Sequence, residues 1–574
     1  SVVVANGLDL TRDPLVFAGS LSVQAAQSID AMQVAADSLE ALAGQGDLIF
    51  SDRDGWGQNT GLTLGALQTL MDGRIQITTE GSLQGQAALK VANGMAVDLI
   101  AYDAINLSDN STLVAVSGLV GEISLVAGGL ISAAARAFVR SGTNDKARWG
   151  ETVLPTTGVT TITAANVDAL NNVLISGDVV LSNISSASLS SLTLKVSGSL
   201  WITGAVPANL TLNLEVGGDL VVDTAVNGAA GEVVDLGAGP FTAQVSGDVD
   251  LRTAVRTTGA AKLTVGGDLR GRAAPRIGLS DVSSLAGHAA LQATRLTLNV
   301  TGDIAANPTA SGSAVGQAAS GLSIASEQLL VTGAGKVWLD NLSTAALTIE
   351  SLTAGSDGGQ AGDVVLRSLA SAITLSGHVQ AAGALGSITF DAAGTGGSLT
   401  VVDGVMLQAN TVILDAQLAI ESAGSGKVMA HALEFNTWLG GGVGTSSLPL
   451  NVQLQGNDGE IRGRVSGSMN LKAVQGDLGL NRLQVGADSL SATTRLETQS
   501  GRIVGRGANA GASHPADLVA SDVQLIANGS LNSAGIGADA NPLRLRSTTG
   551  TVTLGAMATG AVIGDVVISS ASAS

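Results

Sequence analysis

The 574-residue chain has no cysteine. That excludes disulfides, thiolate metal sites and thiol nucleophiles, so packing and hydrogen bonding alone must hold the fold. Aromatic residues are almost as scarce: six Phe, five Trp and one Tyr make up 2% of the sequence. A core built round large rings is thereby excluded, and small, β-branched and leucine side chains must fill the interior. Charge is sparse too, at 13% of residues against about 25% in an average domain. Only seven lysines occur, so there is no polybasic tail, and the net charge is −19. Both facts argue against nucleic acid and against an anionic membrane surface as direct partners.

What is present is hydrophobic and glycine-rich. Hydrophobic residues are 45%, Gly numbers 76, and mean hydropathy is +0.37. Disorder requires the opposite balance of hydrophobicity and charge. Collagen is excluded because the glycines have no three-residue period. The most apolar window, Leu113 to Val139, contains Glu122 and alternating stretches such as Leu113-Val114-Ala115-Val116. It reads as strands, with a membrane span as the alternative.

The dominant pattern is alternation. Leu192, Leu194 and Val196 alternate with Thr193 and Lys195; Leu212, Leu214 and Val216 with Asn213 and Glu215; Leu296, Leu298 and Val300 with Thr297 and Asn299. Side chains two apart share one face of a strand, so each run has a buried and a wet face. Between the runs recurs Gly, then Asp or Ser, then an aliphatic residue: Gly177-Asp178-Val179, Gly198-Ser199-Leu200, Gly218-Asp219-Leu220, Gly247-Asp248-Val249, Gly267-Asp268-Leu269. Here Gly is expected to supply the positive φ of a tight turn, and Asp or Ser to tie down a neighbouring N–H.

These glycines recur at about 20 residues, once at 29. A unit that short cannot bury its own apolar face and must stack on copies of itself. The fold class expected is all-β: a long right-handed parallel β-helix (β-solenoid) of about 20-residue coils, roughly 28 of them, with a few loop insertions. A β-sandwich array is the competing architecture. Residues 1–132 and 159–574 read as solenoid, and 133–158, with Arg136, Arg140, Asp145, Lys146, Arg148 and Glu151 near Pro155, as an insertion or junction. The Ala-rich stretch Gln24 to Ala43 reads either as solenoid or as helix. A longer repeat is also present: Gly442-Val443-Gly444-Thr445-Ser446-Ser447-Leu448-Pro449-Leu450 matches Gly535-Ile536-Gly537-Ala538-Asp539-Ala540-Asn541-Pro542-Leu543 at an offset of 93.

The Gly535 to Leu543 segment, and Thr549-Gly550-Thr551-Val552-Thr553-Leu554 after it, resemble turns of the large secreted β-helical adhesins of Gram-negative bacteria. Those are filamentous-haemagglutinin-like proteins of the two-partner secretion type. The resemblance covers most of the chain and is one of texture. It implies a biofilm or matrix adhesin at the bacterial cell surface. Its implied partners are extracellular or surface polysaccharide, a host or neighbouring cell surface, the chain itself, and an outer-membrane exporter of the parent protein. The family's N-terminal Asn-Pro-x-Gly-Ile signature does not occur here, so an internal or distal part of a longer protein is expected.

Motifs for chemistry are few. Four scattered histidines include no His-x-x-x-His pair, and no nucleophile elbow occurs. Gly424-Ser425-Gly426-Lys427 lacks the flanking residues of a phosphate loop. Asp52-Arg53-Asp54-Gly55 and Asp357-Gly358-Gly359 with Asp363 read as ordinary turns rather than calcium loops. Carboxylates look dispersed, one per coil, rather than paired for glycoside chemistry. The reading is therefore no enzyme, no cofactor, no metal and no catalytic residue. The alternatives kept are a fibre subunit joining end to end and a β-helical polysaccharide-active enzyme. Two tryptophans stand out as binding candidates. In Leu200-Trp201-Ile202 and Val337-Trp338-Leu339 the flanking aliphatics share one face, so Trp201 and Trp338 should point outward. Exposed rings of this kind grip sugars or proteins.

Overall fold

The structure is a computed structural model. It describes residues 16–44, 46–52, 61–69, 74–85, 88–91, 96–101, 105–107, 112–115, 122–133, 138–141, 159–167, 174–176, 178–184, 190–204, 206–224, 233–273, 288–306, 321–355, 361–394, 396–486, 492–507, 516–528, 535–538, 542–547, 550–556, 562–563 and 566–570. Two compact units divide the chain, Ser1–Gly271 with Thr309–Ser311, and Arg272–Pro308 with Gly312–Ser574.

Each unit is a parallel β-helix. The strand Ser191–Val196 pairs in register with Thr211–Val216, that strand with Phe241–Val245, and that with Ala260–Val265, all parallel. In the second unit Asp363–Ser368, Ser387–Ala392, Thr411–Ala416, Ala432–Thr437 and Glu460–Val465 stack in the same way. The alternating residues go where periodicity places them: Leu192, Leu194, Leu212 and Leu214 are fully buried. Interior side chains stack on their equivalents, as in Leu366–Phe390–Leu414–Phe435, and no coil needs a ring-thick core.

Gln24 to Ala43 is strand: Ile29–Ala43 pairs with Val16–Ala25 over nine residues. The apolar window after Leu113 is strand as well, in Thr112–Ala115 and Glu122–Ala133. No helix among the described residues is long and apolar enough to cross a membrane. Coils run from 17 residues, between paired Leu322 and Leu339, to 37, between paired Ile123 and Thr160. Twenty is thus near the short end, and most described coils are longer than the 20 residues that give roughly 28 coils, because corners absorb insertions while the strands keep register. Part of the expected 133–158 insertion is solenoid: Phe138–Ser141 pairs with Thr112–Ala115 on one side and Leu174–Ser176 on the other. Residues 142–158 lie outside the described residues.

The recurring Gly-Asp turn works differently from the expected local turn. Ser199 N donates to Asp178 Oδ1 (2.7 Å), Asp219 N to Ser199 Oγ (3.0 Å), Asp248 N to Asp219 Oδ1 (2.8 Å) and Asp268 N to Asp248 Oδ1 (2.8 Å). Each side chain thus accepts the N–H of its own equivalent one coil on, forming a column along the solenoid axis. The same link joins Asp303 to Lys336 N, Asp403 to Ser425 N and Asp477 to Arg502 N. Glycine takes the expected positive φ at Gly46, Gly424 and Gly501 (85°, 136° and 129°), but at other positions of the column it is needed for room. Gly247 and Gly267 have no positive φ, but a Cβ on either would lie 2.0 Å from the previous coil's Asp219 or Asp248 Oδ1.

The 93-residue repeat is a corner of one geometry. Gly444 (φ 59°) donates its N–H to Ile420 O and Gly537 (φ 75°) to Ile503 O, each at 2.8 Å. After each corner a strand starts, at Leu450 and at Leu543.

Candidate functional site

The two tryptophans expected to be exposed differ. Trp201 lies in the outward column Val180–Trp201–Val221–Asp250–Arg270, as alternation requires. Yet it is only 3% exposed, and Val180 and Val221 beside it are also buried. The outer face is apolar and covered at these coils, becoming wet only at Arg270, so Trp201 offers no open ring. This corrects the expectation of an accessible platform there. Trp338 is partly buried: its indole Nε1 is enclosed without a hydrogen-bond partner, and Lys336 Nζ lies 5.9 Å from the ring centroid. That places a cation–π contact over the ring. Trp56 and Trp149 lie outside the described residues.

The ring that does face solvent is Trp438. It is 47% exposed, Leu439 beside it 70%, and Leu418 on the preceding coil 38%. The chain leaves the strand Ala432–Thr437 at Thr437 and bulges through Trp438-Leu439-Gly440-Gly441-Gly442 before rejoining the stack at Val443. Trp438 N donates to Ala416 O (3.3 Å), and Gly441 N returns to Trp438 O (2.9 Å). A Cβ at Gly441 would fall almost on Leu418 O, so the two corners are in direct backbone contact. Leu439 has φ 51°, a left-handed conformation that disfavours a leucine.

Two to three residues before these corners lies a column of outward polar side chains: Asp340, Arg367, Asp391, Asp415, Asn436 and Arg464, each paired in register with the next. Arg367 holds the buried Asp340 in a two-pronged ion pair, Nε to Oδ1 at 2.7 Å and an Nη to Oδ2 at 2.9 Å. Asp391 accepts no hydrogen bond among the described residues. Burial first, and then the neighbouring Asp415 and Asp340 charges, push its carboxyl up to about 6 against the pull of Arg367. Burial also raises Asp415, with Glu434 adding to it, while Asn436 Nδ2 donates to Asp415 Oδ1 at 2.8 Å and works the other way. For Glu434 burial is outweighed: hydrogen bonds from Asn436 and from Arg462 Nε (2.8 Å) hold it below the usual glutamate range.

Asp391 and Asp415 are therefore stacked like charges, one coil apart. Carboxylates so placed can accept hydroxyl protons from a ligand or share a proton between them. Among the described residues no group of three or more His, Asp or Glu is placed to hold a metal ion. Of the acidic loops considered for calcium, Asp52 is buried and accepts from Thr79 Oγ1 (2.8 Å), and Asp363 accepts from Ser387 Oγ (2.9 Å). His431 Nε2 pairs with Asp458 at 3.0 Å on the surface and holds that carboxyl below its ordinary range. No known protein family, curated protein or solved structure matches this chain.

Proposed function

We propose that this chain is a shaft segment of a non-enzymatic extracellular adhesin. It would attach a cell to another cell, a surface or matrix polysaccharide. The observation that carries this reading is the Asp/Ser column: successive coils are tied together by side chains as well as by the backbone ladder. Such a solenoid resists bending and unravelling without disulfides, which suits a long spacer outside the cell. The textural resemblance to haemagglutinin-like adhesins supports the same reading, as does the exposed apolar corner at Trp438. The test is retention of the purified chain on bacterial or host cells and on matrix polysaccharide. Saturable retention with the polymer left intact is expected; no retention on any of these surfaces would remove the reading.

A second reading has one observation in its favour. Asp391 and Asp415 make a stacked carboxylate pair with raised protonation, the kind of couple a glycosidase uses as acid and base. It requires polysaccharide cleavage, seen as new reducing ends, that disappears in Asp415→Asn.

A further inference from the structure

The Trp438 corner combines features that its own fold does not use. Its ring is half exposed, and the adjoining Leu439 is held both in solvent and in a left-handed conformation. Three glycines follow immediately, any of which would take such a φ without strain. A strained, exposed apolar pair at a corner points to a surface kept for contact.

The surroundings define what kind of contact. No charged residue occurs from Phe435 to Asn457, and Thr445, Ser446 and Ser447 expose their hydroxyls on the loop that follows the corner. The nearest charges are of both signs, in a chain of net charge −19: Asp415 on the preceding coil, Glu434 on its own strand, and on the next coil Arg464 beside Asn436 and Arg462 paired with Glu434. These signs offset one another, so the corner presents no one-signed field to attract a charged polymer. The exposed parts of Leu418, Trp438 and Leu439 total on the order of 300 Å², at about 200 Å² for a fully exposed large side chain. A second copy of the chain would need about 800 Å² on each partner. A few sugar rings need no more than the smaller area. Asp391, which accepts no hydrogen bond among the described residues, can accept from their hydroxyls.

We propose that the Trp438–Leu439 corner, with Asp415 on the preceding coil and Asp391 one coil further along the wall, binds an uncharged polysaccharide, one sugar ring stacking on the indole while hydroxyls of neighbouring rings donate to the carboxylates. This rests on the adhesive reading above and names its ligand class. The test is native affinity electrophoresis of the whole chain in gels holding dextran, a soluble β-glucan or alginate, beside a cell-attachment assay. The wild type is retarded by at least one neutral polymer and not by alginate. Trp438→Ala weakens that retardation at least tenfold with an unchanged melting temperature, and Trp438→Phe retains most of it. Equal retardation of wild type and Trp438→Ala overturns the proposal and leaves the adhesive reading standing. So does retardation by alginate alone, or attachment to cells with no retardation by a neutral polymer. A dimer lost in Trp438→Ala, without polymer binding, also overturns it and makes the partner a second copy. Absence of both retardation and cell attachment removes the two together.

Discussion

Two columns of carboxylates run along this protein at the same coil spacing, and they are held in different ways. In the first unit Asp178, Ser199, Asp219, Asp248 and Asp268 line one corner, the side chains of the first four each accepting the backbone N–H of the next residue in the column. In the second unit Asp340, Arg367, Asp391, Asp415, Asn436 and Arg464 line an outer wall, where a carboxylate can be satisfied only by neighbouring side chains. Asp340 has Arg367 and Asp415 has Asn436, but Asp391 has no such donor. A peptide N–H recurs with every coil, whereas a matching side chain has to be supplied position by position. Stacking acids at a corner is therefore a repeatable structural device, while stacking them on a wall leaves charge uncompensated wherever the alternation of sign fails.

The wall is the more fragile side of that comparison. Arg367→Met keeps the stem of the side chain but strips the partner from a fully enclosed carboxylate and removes the one cation facing Asp391. Losing one member of a buried pair costs about 3–5 kcal/mol, and because Arg367 is itself partly solvated about 3 kcal/mol is expected here. Chemical denaturation of wild type and variant measures it; a loss below about 1 kcal/mol would mean that Asp340 finds another donor.

The corner column is sensitive to volume instead. Gly247→Ala would set a methyl 2.0 Å from Asp219 Oδ1 and 2.8 Å from Gly218 O, so the column must part or shift, at about 2 kcal/mol. At Gly404, with φ 72°, a Cβ would have nothing within 4 Å, which isolates the conformational cost: Gly404→Ala should lose only about 1 kcal/mol. If the two variants melt alike, crowding between coils is not what keeps glycine at the Gly-Asp corners.

Much of this was legible in the residues. The alternation at Leu192, Leu194 and Val196 placed them inside, and the Gly-Asp punctuation marked the corners. The bonds those aspartates make were not legible, because the accepting and donating residues are 20 to 29 positions apart and meet only through the coil. The wall pair was hidden by coil length. Ser387-Ile388-Thr389-Phe390-Asp391-Ala392 and Thr411-Val412-Ile413-Leu414-Asp415-Ala416 are 24 residues apart, so a 20-residue ruler leaves their acids looking dispersed. Periodicity also reports the side of a wall, not what covers it. It sets Trp201 in the outward column, while the burial of Trp201 there depends on further structure. Trp438 sits in a corner bulge, where no alternation exists to be read.

The smallest effect, and the one most specific to the wall, is that of Asp391. Its folded-state value, about 6, lies above the ordinary aspartate value of about 3.9, so the native chain holds this proton more tightly than the unfolded chain does. The resulting stabilisation is complete below about pH 4 and is lost as the pH rises through about 6. Asp391→Asn keeps the shape and removes the charge that burial and Asp415 oppose. The variant should match the wild type near pH 4 and exceed it by about 1 kcal/mol at pH 7.5, a figure reduced for the water that reaches the wall. The difference between the two melting curves reports Asp391 together with its coupling to Asp415. Asp415→Asn should shift the midpoint of that difference towards lower pH, because the Asp415 charge is the second cause of the raised value. If the midpoint stays near 6 without Asp415, burial and the Asp340 charge set it, and the two carboxyls titrate independently despite lying on adjacent coils.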